Sequence, residues 1–178
     1  MKRDRNKEYL FVDGYNIINS WERLRELREN DFEGAREKLI DILAEYKHYS
    51  QIEVILVFDG HLVKGNNGSI SKYNNLEVVY TKESETADQY IEKKLDQMGR
   101  VKRVRVATSD WVEQQIILGR GGTRISAREL EMEIFDQKDF MIRKGNLDKK
   151  KNNLAISRLD RDIVEKLNNW LKNNQNLD

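Results

Sequence analysis

Three apolar runs, each stopped by an aspartate, constrain this chain more than any other feature. Tyr9-Leu10-Phe11-Val12 runs into Asp13-Gly14, and Val54-Ile55-Leu56-Val57-Phe58 runs into Asp59-Gly60. Val104-Arg105-Val106-Ala107 passes through Thr108-Ser109 into Asp110. A short apolar run closed by a turn signal reads as a buried strand of a parallel sheet. One such ending is an ordinary Asp-Gly turn. Three of them gather carboxylates beyond the carboxyl ends of the strands, where ligands of open α/β sheets bind. Asn16 stands in the same crevice, three residues after Asp13.

The intervening stretches have helical spacing. Phe32, Ala35, Leu39, Ile42, Leu43 and Tyr46 share one face, with Asp31 placed to cap it. Leu76 to Tyr80 reads as a further strand, followed by a helix whose buried stripe is Ala87, Tyr90 or Ile91, Leu95 and Met98. A helix is expected from Asp110 to Leu118, then a short strand at Thr123-Arg124-Ile125. Ser126-Ala127-Arg128-Glu129 has the form of a capping box, opening a helix to about Lys144. Strands alternating with helices of this length predict βαβ crossovers: a parallel sheet with helices on both faces. His61 to Asn75 reads as a loop and Gly145 to Asn153 as a polar linker containing Lys149, Lys150 and Lys151, a candidate contact for a large anionic partner. The last helix carries Leu159, Ile163, Leu167, Trp170 and Leu171 on one face and is expected to dock on the core. The division is thus a core over 8–145 and a linker with a helical extension over 146–178.

A fourth acidic position lies in Lys82-Glu83-Ser84-Glu85-Thr86-Ala87-Asp88, where Glu85 and Asp88 fall in the first turn of a helix. Acids there complement the helix dipole on their own account. Taken with Asp13, Asp59 and Asp110 they form a like-charged cluster, which is destabilising unless a cation joins it. Carboxylates without cysteine or a histidine cluster favour Mg²⁺ or Mn²⁺ over zinc, and such an ion suits phosphate chemistry. Asp13, Asp59, Asp88 and Asp110 are the candidate acids of that site, with Glu85 beside Asp88. Lys82, Arg120, Arg124 and Arg128 are candidate phosphate contacts, and Tyr15 and Trp111 candidate stacking surfaces for bases.

Other uses of such a sheet are excluded by residue pattern. No Gly-x-Gly-x-x-Gly or Walker sequence follows the first strand, so no dinucleotide cofactor or P-loop is expected. Tyr15 stands where an aspartyl-phosphate phosphatase places its second acid, and no partner lysine supports Asp59 as a phosphate receiver. Cysteine is absent, and His48 and His61 are too scattered to form a ligand set. Net charge is +1, so nucleic acid must be gripped by local basic patches. No apolar run reaches membrane-spanning length; the chain reads as soluble and cytoplasmic, with no membrane partner.

Val12-Asp13-Gly14-Tyr15-Asn16-Ile17-Ile18, Val57-Phe58-Asp59-Gly60, Tyr80 to Asp88, Ala107-Thr108-Ser109-Asp110 and Ser126-Ala127-Arg128-Glu129-Leu130 together resemble the YacP-like group of NYN domains. These are PIN-like metal-dependent nucleases. The resemblance spans about residues 8 to 175. It implies a Rossmann-like, three-layer PIN/NYN fold with a helical extension. It also implies a metal-dependent endoribonuclease that cleaves single-stranded RNA, messenger RNA on the ribosome included. By this resemblance Asp13, Asp88 and Asp110 match the family's acidic centre and would hold the metal, Asn16 matches its motif amide and would orient the phosphate or a ligand, and Asp59 and Glu85 would be supporting acids. The alternative is an RNA- or ribosome-binding module that kept the fold without the activity.

Overall fold

A computed structural model describes residues 7–60, 67–98, 103–109, 119 and 122–174, with side chains described as far as 147 and at 163, 165 and 166. Its centre is a six-stranded sheet of β1 (Glu8–Asp13), β2 (Glu53–Phe58), β3 (Ser69–Tyr73), β4 (Leu76–Tyr80), β5 (Arg103–Ala107) and β6 (Thr123–Ile125). Their order is β3-β4-β2-β1-β5-β6. All neighbours are parallel except β3 and β4. β1 is central. Its alternation sends Leu10 and Val12 to one face and Phe11 to the other, and each side chain is almost wholly buried.

The helices divide between those faces as the βαβ reading predicts. α1 (Gly14–Ser20), α2 (Glu22–Asn30), α3 (Phe32–Ser50) and the start of α5 (Ala127–Asn174) pack with Leu10, Val12, Leu56 and Val78. α4 (Ala87–Met98) covers Phe11, Ile55, Val57 and Val106 on the opposite face with Ala87, Tyr90, Ile91 and Leu95. Asp31 caps α3 by accepting the Gly34 amide at 2.8 Å. The capping box also forms: Glu129 accepts the Ser126 N–H at 2.7 Å, and the Ser126 hydroxyl accepts the Glu129 N–H at 3.2 Å. Trp21 ties the start of α2 to that of α5 by donating its indole N–H to the Ala127 carbonyl at 2.8 Å.

Two expectations need correction. The segment 61–75 is not all loop, because Ser69–Tyr73 forms β3 and pairs antiparallel with β4. The turn is Asn74-Asn75, both at positive φ (45° and 70°), the geometry of a two-residue hairpin. All five β3 residues are exposed, so no apolar pattern marked the strand. Nor is 145–153 a linker: α5 runs through it unbroken to Asn174. Lysine, asparagine and leucine are compatible with a helix, and Gly145 alone did not stop it. The helix expected from Asp110 to Leu118 lies outside the described residues. By internal contacts the chain divides into two units, Met1–Gln137 and Lys138–Asp178, and the sheet belongs to the first.

Candidate active site at the carboxyl edge of the sheet

The order β2-β1-β5 sets where a ligand can enter. The chain leaves β1 through α1 to α3 on one face to reach β2, and reaches β5 through α4 on the other. The crossovers therefore part between β1 and β5, and this topological switch point opens a crevice at the strands' carboxyl ends. Asp13 is the last residue of β1 and stands at that crevice.

Asp13 also caps α1, its carboxylate accepting the Asn16 N–H at 3.1 Å. Gly14 permits the sharp entry: a Cβ there would lie 2.3 Å from the Phe58 ring, whose side chain is fully buried. Burial pushes the Asp13 carboxyl up to about 6, against the lowering effect of the Asn16 amide; the neighbouring charges of Asp88 and Asp59 raise it further. Asp88, in the first turn of α4, and Asp59, just after β2, thus share electrostatic reach with Asp13.

Asn16 is tied to the backbone at the far side of the crevice. Its side-chain oxygen accepts the backbone N–H of Ser109 at 3.0 Å, fixing the chain that leaves β5 immediately before Asp110. Thr108 is anchored on its other side, donating its N–H to the Ile125 carbonyl at 3.2 Å, while its own carbonyl accepts from the Arg124 Nε at 3.3 Å. Arg124 is therefore beside the crevice, held by backbone. Asp110, Trp111 and Arg120 lie outside the described residues. Lys82 and Arg128 are exposed. Glu85 is half-buried, 3.8 Å from the Lys93 ammonium.

Tyr15 is half-buried, its ring stacked on Phe32 at 5.5 Å and tilted against Phe58 at 5.1 Å between centroids. Sequence reasoning missed Thr81. Its buried hydroxyl accepts the Gly60 N–H at 2.9 Å and donates to the Glu85 carbonyl at 2.5 Å, clamping the Asp59 loop to the turn that leads into Asp88. It missed Arg36 as well, which lies over the Phe32 and Tyr80 rings. The sequence does not show the contacts that bring Thr81 to Gly60 or Arg36 to Tyr80, which join distant segments.

The donor chemistry at this edge suits a hard divalent cation: the carboxylate of Asp13 is half-buried, and the side-chain charges that raise its pKa are two further carboxylates. Among the described residues, no three acids or histidines close into a ligand set.

A six-stranded, mostly parallel sheet with helices on both faces and acids at its switch point defines a Rossmann-like α/β protein. The chain belongs to the YacP-like NYN domain family, whose sequence model matches residues 10–172. It is 40% identical over 167 residues to the uncharacterized protein YacP of Bacillus subtilis (strain 168), covering 92% of this chain and 96% of that protein. The crystal structure of Rae1 (YacP) from Bacillus subtilis matches with a TM-score of 0.68 at 37% identity, over 95% of this chain and 97% of that one. The crystal structure of a tryptophan-to-leucine mutant of Rae1 matches with a TM-score of 0.67 at 42% identity, over 76% of this chain and 80% of that one. Among the described residues no helix is long and apolar enough to cross a membrane.

Proposed function

We propose that this chain is a divalent-metal-dependent endoribonuclease that cleaves single-stranded RNA, messenger RNA at the ribosome included, in the cytoplasm, with its nuclease core at residues 8–145. The observation that carries the reading is the state of Asp13. Asp13 ends β1 at the switch point, and its carboxyl, pushed up to about 6 by burial and raised further by the charges of Asp88 and Asp59, is a good place for a cation. Asp13, Asp88 and Asp110 would hold Mg²⁺ or Mn²⁺, with Asp59 and Glu85 in support. Bound there, the ion supplies charge neutralisation at the phosphodiester and lowers the pKa of a water. Asn16 holds the approach to Asp110 through Ser109, so it is a positioning residue. Thr81 holds the Asp59 and Asp88 segments in register. Lys82, Arg120, Arg124 and Arg128 take backbone phosphates, and Trp111 offers a stacking ring.

The second reading is a non-catalytic RNA- or ribosome-binding module of the same fold. Incubation of the full chain with long single-stranded RNA, in Mn²⁺ or in excess chelator, separates the two. Internal cuts that require the metal support the nuclease; retention of intact RNA in both conditions supports the binding module.

A further inference from the structure

Beside the acidic edge, on the β2 and β4 side, four aromatic rings pack in sequence: Phe32, Tyr15, Phe58 and Tyr80. Arg36 lies across this row, 5.2 Å from the Phe32 ring centroid and 5.8 Å from that of Tyr80. Its Nη1 donates to the Tyr15 hydroxyl at 3.5 Å, and its Nη2 pairs with Glu33. Among the described residues its buried Nε has no hydrogen-bond partner. The row itself borders the acidic edge, since Tyr15, which Arg36 contacts, follows Asp13 by two residues and Phe58 immediately precedes Asp59.

The Arg36–Glu33 pair is lopsided. The Arg36 side chain is 14% exposed and that of Glu33 is 60% exposed. An oriented, ring-clamped guanidinium thus meets a solvated carboxylate, and such a partner contributes little and exchanges readily. A planar guanidinium accepts a phosphate in the geometry in which it accepts a carboxylate, and being weakly hydrated it gives up water more easily than lysine does. A polyanion drawn towards a cluster of acids needs a fixed cation close by.

We propose that Arg36 binds a backbone phosphate of the single-stranded RNA lying along the carboxyl edge, and that Glu33 holds this place in the free protein until the phosphate displaces it. The proposal rests on the nuclease reading for the identity of the ligand. It adds a substrate contact on the β2–β4 side, opposite the arginines that follow β5 in the chain.

The test is fluorescence-anisotropy binding of a labelled single-stranded RNA to the full chain in chelator, over a range of salt, for wild type, Glu33→Gln, Arg36→Lys and Arg36→Gln, each with its melting temperature. Glu33→Gln sits on the surface and should fold normally. It should bind about 2- to 5-fold more tightly than wild type, because a competing anion is gone. Arg36→Gln should bind roughly 10-fold more weakly, and its salt slope should fall by about 0.7, the loss of one phosphate contact on a single strand. Arg36→Lys should keep the slope and lose part of the affinity. Unchanged affinity in Glu33→Gln together with an unchanged slope in Arg36→Gln overturns the proposal and leaves Arg36 as a clamp for the rings. Absence of RNA binding by wild type overturns it too. Cleavage does not enter this readout: RNA that binds in this way but is never cut with Mn²⁺ defeats the nuclease reading alone.

Discussion

The side-chain oxygen of Asn16 accepts the backbone N–H of Ser109 at 3.0 Å across 93 residues of sequence. This bond ties the first turn after β1 to the end of β5, across the switch point. Asn16→Ala removes that partner at an exposed position, where water can take its place in part. The expected loss is at most about 1 kcal/mol of stability. The expected loss of RNA cleavage is larger, on the order of 10²-fold, because a displacement of about 1 Å at a catalytic group has that effect. A thermal melt and a cleavage rate on the same preparation check both. Equal, small effects on the two would make Asn16 a structural cap only.

Thr81→Val removes one hydroxyl and strands two backbone groups, the Gly60 N–H and the Glu85 carbonyl. Valine fills the same space without the bonds, so the expected loss is about 1–3 kcal/mol, seen as a lower melting temperature. Cleavage by the folded fraction should also slow, since the Asp59 and Asp88 segments lose their common anchor. Thr81→Ser, which keeps the hydroxyl, should recover most of the rate.

Asp13 makes stability depend on pH in a stated direction. Its folded-state pKa, about 6, lies above the ordinary 3.8, so the folded protein holds the proton more tightly than the unfolded chain. The stability this gives is present below about pH 4 and is lost as pH rises through 6, at most about 3 kcal/mol. Glu53 and Glu133, whose carboxyls are held low by partners, push the other way, so the quantity to measure is wild type minus Asp13→Asn. In metal-free buffer that difference should shrink steadily from about pH 4 to about pH 7. Saturating Mn²⁺ should flatten the trend above about pH 6, because a bound cation favours the ionised carboxylate. A difference independent of pH would place Asp13 in an ordinary, solvated environment.

Gly14→Ala tests how the edge is built. The added methyl meets the Phe58 ring at 2.3 Å, and Phe58 has no solvent side to move towards. Overpacking of this kind costs about 1–3 kcal/mol. Melting should fall accordingly, and the combined change with Phe58→Leu should recover part of it.

Much of this was legible in the chain. Leu10 to Val12 and Val54 to Phe58 are apolar throughout because both sheet faces are covered, and that pattern carries the parallel fold directly. Asp31, Ser126 and Glu129 signal helix starts through chemistry that is local to a few residues. What escaped has physical reasons. β3 is wholly exposed and its pairing depends on β4, so only Asn74-Asn75 hinted at a hairpin. The polarity of 145–153 suggested a linker, although polarity alone does not break a helix. The acids at strand ends were visible one by one, but the bond from Asn16 to Ser109, the Thr81 clamp and the ring row under Arg36 exist only once distant segments meet.

The central claim is that the carboxyl edge is a metal-dependent catalytic site, and Asp88→Asn tests it most directly. The cleavage rate of long single-stranded RNA in Mn²⁺ is compared between wild type and Asp88→Asn, with metal-free melting temperatures recorded for both. The account predicts that cleavage is abolished while the metal-free protein melts no lower than wild type, because removing one acid from the cluster relieves the charge acting on Asp13. Wild-type cleavage by Asp88→Asn, or a rate loss matched by a large drop in its metal-free melting temperature, would contradict it.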